Sequence, residues 1–229
     1  MCGRFAITLP TDAISQLFKA QPVNNLPDVP NFNVCPTNSI HVVTYNEFGR
    51  KVESLRWGFV PSWYLEINAG PILINARSET LAQKPAFARA CKERRCLIPS
   101  SGFYEWSKDS EGNKIPWFVN RNDDTPLVFG GVWQEWGDAN GKIKTCAIVT
   151  TESNSNLSKI HCRLPLVLER SDWDFWLGEK GHGASVLMRP PANDTLRAYK
   201  VSQNINSRRA SGPALIAPVS TYTNTSEYD

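Results

Sequence analysis

Cys2 follows the initiator methionine, and removal of Met1 would give it a free α-amine beside its thiol. The ordinary pKa values are ~7.7–8.0 for such an amine and ~8.5 for the thiol, so both are available as nucleophiles near neutral pH. An amine condenses with an aldehyde to a Schiff base. An adjacent thiol then closes a five-membered thiazolidine ring. A cysteine inside a chain cannot do this, because its nitrogen is an amide. Taken alone, Cys2 is an ordinary small residue after a start codon.

Three further segments offer groups that such chemistry needs. The apolar run Ile72-Leu73-Ile74 delivers Asn75 and Arg77 two residues apart, hence on one face of a strand, with Ser78 placed to cap the next helix. In Phe103-Tyr104-Glu105-Trp106, alternation puts Phe103 and Glu105 on one side and Tyr104 and Trp106 on the other. A carboxylate in aromatic surroundings is partly desolvated, which suits a general acid/base. His161 and Arg163 precede the apolar stretch 164–168 and present an acid/base beside an anion anchor. Cys162 between them is expected to point into the core. The aromatic run Trp57 to Tyr64, including Trp63, exceeds what a surface loop needs, and aromatic faces stack unpaired bases. Trp133, Trp136, Trp173 and Trp176 read as core.

The elements that must hold these groups are short. The sequence predicts a helix over 11–20 with Thr11 as N-cap, an ordered loop over 21–38, and strands over 40–45 and 52–59 joined by a turn at 46–49. A strand is expected over 72–76 and a helix over 78–94, started or kinked by Pro85. Strands come next over 96–98, 103–107, 116–120, 127–135 and 143–151. A short Ser/Asn-rich helix is expected before His161, another over 172–177, and strands around Val186 and over 198–201. His41 reads as a strand residue and His182 as a loop residue. This pattern is α+β: one curved or barrel-like mixed sheet with short peripheral helices, in a single domain over 2–217 with a frayed tail over 218–229.

Composition narrows the class. The 229 residues are 41% hydrophobic and 21% charged, enough chain for a core without disulfide or metal staples. The net charge of +3 is mild, so any nucleic-acid contact must come from a local patch. Cys91 and Cys96 lack zinc-finger spacing, no C-x-x-C occurs, and no metal or cofactor is expected. The six cysteines read as reduced thiols. With no apolar run near ~20 residues and no signal-like start, the chain reads as a cytoplasmic, soluble protein without a membrane partner.

Taken in order, Met1-Cys2-Gly3-Arg4-Phe5, Phe32-Asn33-Val34-Cys35-Pro36, Arg56-Trp57-Gly58-Phe59, Ile74-Asn75-Ala76-Arg77-Ser78-Glu79-Thr80, Gly102-Phe103-Tyr104-Glu105-Trp106 and His161-Cys162-Arg163-Leu164-Pro165 resemble the SOS-response-associated peptidase (SRAP) family from Cys2 to about Ser211. The resemblance implies a sensor of abasic sites in single-stranded DNA, associated with the nucleoid after damage if bacterial; a monomer is the default for a single-strand binder. It implies a covalent crosslink through Cys2 after Met1 is removed, by the protein itself or by an aminopeptidase. Asn75 would position the reacting terminus, Glu105 move protons, and His161 assist opening of the sugar ring. Arg4, Arg77 and Arg163 match positions near phosphates, Asn33 a position beside the DNA, and Trp63 and Trp106 positions that stack on or wedge bases. The chain departs from the pattern at Leu164, Cys35 and Tyr64, where Met, Ala and Trp are usual. Three rivals are a class II glutamine amidotransferase, which also starts Met-Cys-Gly, a peptidase acting on other proteins, and a non-covalent single-strand binder that salt dissociates.

Overall fold

In the computed structural model, which describes residues 2–138, 141–181 and 183–219, the elements run in chain order from β1 (Phe5–Ile7) through α1 (Thr11–Phe18), β2 (Gln21–Pro22), β3 (Asn31–Val34), β4 (Ser39–Asn46) and β5 (Gly49–Trp57). Next come β6 (Asn75–Arg77), α2 (Pro85–Glu93), β7 (Arg95–Ser100), β8 (Gly102–Lys108) and β9 (Lys114–Arg121). The last are β10 (Leu127–Asp138), β11 (Gly141–Glu152), β12 (Arg163–Pro165), α3 (Trp173–Leu177) and β13 (Leu196–Lys200). His182 and residues 220–229 lie outside the described residues, as does Met1.

Strands β11, β10, β7, β4 and β5 hydrogen-bond in that order, and β5 returns to β11 in parallel with Arg56 opposite Thr145. The sheet thereby closes into a five-stranded mixed barrel. The far half of β11 carries β6 in parallel and β12 antiparallel. A second, antiparallel sheet runs β13-β9-β8-β1-β3. The chain passes from barrel to sheet where β7 runs into β8, and Ser100 Oγ and the Ser101 amide both donate to the Ala6 carbonyl, at 3.0 and 2.8 Å.

The central strands of the second sheet are packed on both faces. Its inner face puts Phe5, Phe103, Val119 and Leu196 into the barrel core, where the Phe5 ring meets Trp57 edge-on at 5.1 Å. Such aromatic pairs add ~0.5–1.5 kcal/mol beyond their burial. Its outer face, with Tyr104 and Phe118, is covered by Val201, Ile205 and Leu215 near the C-terminus. Gly102 lies between the layers, and a Cβ there would stand 2.7 Å from the Val119 carbonyl and collide with the Phe118 ring. Gly102→Ala is therefore expected to lower the unfolding free energy by about 3 kcal/mol, as overpacking against fixed backbone does. A urea midpoint unchanged from the parent would show the two strands can separate without cost.

The single-domain α+β architecture agrees with the sequence expectation, and the local differences have physical causes. The 21–38 segment is not all loop, because β3 pairs with β1 and β2 with β5. Thr11 is the first helical residue of α1 rather than its cap, and its hydroxyl bonds His41 Nε2 at 3.1 Å instead. The expected helix over 78–94 splits into a single 3-10 turn at Ser78–Thr80 and α2, which Pro85 opens. The segment just before His161 forms turns rather than a helix: Asn154 caps one turn, its Oδ1 accepting from the Leu157 amide at 3.1 Å and its carbonyl from the Ser158 amide at 3.0 Å, and the turn is not continued. Val186, expected in a strand, sits in a 3-10 turn and is 69% exposed. Pro218 still bridges Val201, and the Val219 amide reaches Lys200.

Candidate active site

Pairing of β1 with β8 sets Phe5 opposite Phe103, and the Tyr104 amide donates to the Arg4 carbonyl at 2.9 Å. Continued along that register, the chain ahead of Arg4 runs beside Glu105. Cys2 is fully buried there, its thiol 3.9 Å from the Arg4 carbonyl. From the barrel side, β6 lies on β11 with Asn75 opposite Ile148. The Asn75 side-chain amide donates to the Cys2 carbonyl at 2.8 Å. Its buried Oδ1 finds no hydrogen-bond partner among the described residues.

Glu105 is 3% exposed. Burial raises its pKa above the ordinary carboxylate value, against the pull of neighbouring positive charge that includes His161. Burial, and then the charge of Glu105, push the Cys2 thiol well above its ordinary value, so the thiol is neutral in this setting. Cys2, Asn75, Glu105 and His161, four residues far apart in sequence, thus meet at the junction of barrel and sheet.

His161 is oriented by its own turn. The Arg163 amide donates to His161 Nδ1 at 3.0 Å. The same Nδ1 lies 3.2 Å from the Arg163 carbonyl, so both backbone groups of Arg163 hold the ring in place. Arg163 is in turn fixed by Glu79 through two hydrogen bonds of 2.6 and 3.0 Å, and by the Thr150 carbonyl at 2.5 Å. This fork holds the Glu79 carboxyl below its ordinary value. Glu79 and Thr150 were not visible as site residues in the sequence, because their partner lies 84 and 13 residues away and no local pattern marks the pairing.

The other candidates separate by face. Arg77 is exposed on β6, two residues from Asn75. Trp63 is 55% exposed in the 61–74 loop, near Leu65 and Ile72, which also face outward. Arg4, Asn33 and Trp106 engage the segment near residues 205–210. Arg4 Nη1 donates to Asn33 Oδ1 at 2.7 Å and to the Ile205 carbonyl at 3.0 Å. The Asn33 amide reaches the carbonyls of Ser207 and Ala210, and Trp106 Nε1 reaches Asn206 at 2.8 Å. Cys162 corrects its expectation: it is exposed, since the turn at 161–163 precedes the strand and does not alternate with it. Cys35 is buried, with its thiol 3.4 Å from the Asn33 carbonyl. Among the described residues no group of three His, Cys, Asp or Glu side chains is arranged to hold a metal, and no helix is long and apolar enough to cross a membrane.

A barrel joined to an antiparallel sheet, with a buried cysteine at the amino terminus between an amide, a carboxylate and an imidazole, defines the class of protein. The chain belongs to the SOS response associated peptidase (SRAP) family, whose sequence description matches residues 1–208. It is 33% identical over 223 residues to the abasic site processing protein YoqW of Bacillus subtilis, covering 94% of this chain and 99% of that one. The abasic site processing proteins HMCES of Rattus norvegicus and YedK of Escherichia coli are 28% and 27% identical, covering 76% and 100% of their lengths and 95% and 96% of this chain. A crystal structure of a Bacteroides thetaiotaomicron protein, 23% identical, shares the fold with a TM-score of 0.84 over 95% of this chain and all of that one.

Proposed function

We propose that this protein processes abasic sites in single-stranded DNA by capturing them covalently through Cys2. Hydrolysis of the Met1–Cys2 peptide bond adds one water, releases methionine and leaves the Cys2 amine. The opened sugar offers its C1′ aldehyde. The amine adds to it and water leaves, giving the imine. The thiol then adds across the C=N bond, its sulfur to C1′ and its proton to nitrogen, and the thiazolidine is closed. No oxidant, metal or cofactor enters this balance.

Each residue has a task in these steps. Asn75 holds the Cys2 backbone, and its Oδ1 accepts from the Cys2 amine once Met1 has left. Glu105 moves protons between amine, thiol and the departing hydroxyl, and acts as the proton shuttle of Met1 removal. Opening of the sugar moves the proton of the C1′ hydroxyl to the ring oxygen, and His161 relays it. Arg77, exposed two residues from Asn75, would take a phosphate, and the exposed Trp63 would offer its face to a base. One chain supplies every group, so a monomer suffices. The relatives' names support DNA lesions as the substrate class, and the observation that carries the chemistry is the Asn75–Cys2 hydrogen bond made beside Glu105.

The test mixes the protein with a single-stranded oligonucleotide carrying one abasic site and resolves the products on a denaturing gel. A shifted band that survives heat and detergent, and is absent with the undamaged strand, is expected. Absence of that band, from protein whose mass confirms a free Cys2 terminus, overturns covalent capture.

A further inference from the structure

One strand beyond Glu105, the same sheet face carries a cavity that the capture reaction leaves unused. Strands β8, β9 and β13 set Glu105 opposite Trp117 and Trp117 opposite Lys200. Residues directly opposed in antiparallel strands share a face, with Cβ atoms ~4.5–5.5 Å apart. Trp117 Nε1 donates to Ser107 Oγ at 2.9 Å, which fixes the indole. The far wall is the segment that ends at His161, through Leu157, Lys159 and Ile160. The cavity measures about 420 Å³, within the ~300–1,000 Å³ of small-molecule sites. No carboxylate lines it, and Lys200 Nζ stands 5.7 Å from the indole centroid.

We propose that this cavity is a nucleobase subsite, stacking on Trp117 the base next to the reacting nucleotide, with Lys159 and Lys200 on the flanking phosphates. The assignment rests on the reading of the Cys2 site as DNA-directed. An indole face accepts any base, because every base presents a π surface. The two lysines give the rim a charge that matches a polyanion. Continuity with the reacting groups sets the occupant. The Trp117 wall begins one residue across from Glu105, and the Ile160 wall ends at His161, so a base held here belongs to the neighbour of the sugar being opened.

The test uses the Cys2→Ala protein, in which binding is read without crosslinking. Its affinity for a fluorescein-labelled ten-nucleotide oligodeoxythymidine is measured by anisotropy, beside a ten-unit tetrahydrofuran-phosphate strand that lacks bases. Adding Trp117→Ala is expected to weaken the thymidine strand about 5- to 150-fold, while Trp117→Tyr retains most of the affinity. The loss must vanish on the strand without bases. Adding Lys159→Ala and Lys200→Ala instead should weaken both strands and reduce the salt slope by about 1.4. Unchanged thymidine affinity in a folded Trp117→Ala protein, or an equal loss on both strands, overturns the subsite. If these effects appear while the parent protein fails to crosslink abasic DNA, the subsite stands and the covalent reading falls.

Discussion

Cys2→Ala is expected to eliminate the heat-stable DNA adduct entirely, while a weak adduct reappears when borohydride is present during the reaction. The alanine variant keeps an N-terminal amine, so it still forms the imine, which hydride reduces to a stable secondary amine. Without a thiol the imine has nothing to close onto, and it hydrolyses on the gel. The complementary variant carries an uncleavable extension ahead of Cys2. It keeps the thiol but has only an amide nitrogen, so neither the stable band nor the borohydride-trapped band should form. The two patterns separate the amine's part from the sulfur's. A stable band from Cys2→Ala without reductant removes the thiazolidine, and one from the extended protein removes the amine.

The burial of Cys2 sharpens this expectation. Its thiol is fully enclosed, and both burial and Glu105 favour the neutral form. A neutral thiol is a poor first nucleophile, so attack on the aldehyde falls to the amine, and sulfur adds once the imine is in place. That order makes the amine-only intermediate of Cys2→Ala a true precursor rather than a side product. It also separates this site from cysteine hydrolases whose sulfur attacks first and is activated by a lowered pKa.

How much of the site could be read from the sequence depended on whether a feature is local. Alternation in 103–106 set Phe103 and Glu105 on one side and Tyr104 and Trp106 on the other, and Phe103 and Tyr104 do fall in different core clusters. The same rule put Trp106 on the face away from Glu105, where it bonds Asn206 of the C-terminal segment. That segment's carbonyls also take up Arg4 and Asn33, and nothing in its Ser/Asn/Arg composition marks it as a cover for a sheet. β2 and β3 escaped for a related reason. They are short stretches rich in Asn and Pro, and they become strands only because β5 and β1 offer them free edges. Cys162 was misplaced by extending strand alternation into a turn, where His161 and Arg163 are tied through one backbone amide. The four central groups were legible as types, but their meeting depends on a parallel β6–β11 pairing that spans more than seventy residues.

Glu105→Gln is expected to slow capture by about 10²- to 10⁴-fold, the usual worth of a positioned acid/base, and to stabilise the folded protein at the same time. Burial raises the carboxyl's pKa in the fold above its ordinary value of 4.5. The fold therefore binds a proton more tightly than the unfolded chain does, and stability falls as the pH rises above 4.5. The fall ends once the pH has passed the raised folded value, and from there a buried charge is carried at constant cost. Glutamine has the same shape and no charge. Its advantage in urea unfolding should be absent below pH 4.5, grow through the titration, and stay level above it. If Glu105 also serves Met1 removal, intact mass will show the variant retaining methionine, and supplying an already exposed Cys2 should leave the capture rate still depressed. A variant that captures at the parent rate from a free Cys2 would confine Glu105 to processing. An unfolding curve that tracks the parent at every pH would mean that the Glu105 charge is compensated in place, with the nearby imidazole of His161 as the group to replace next.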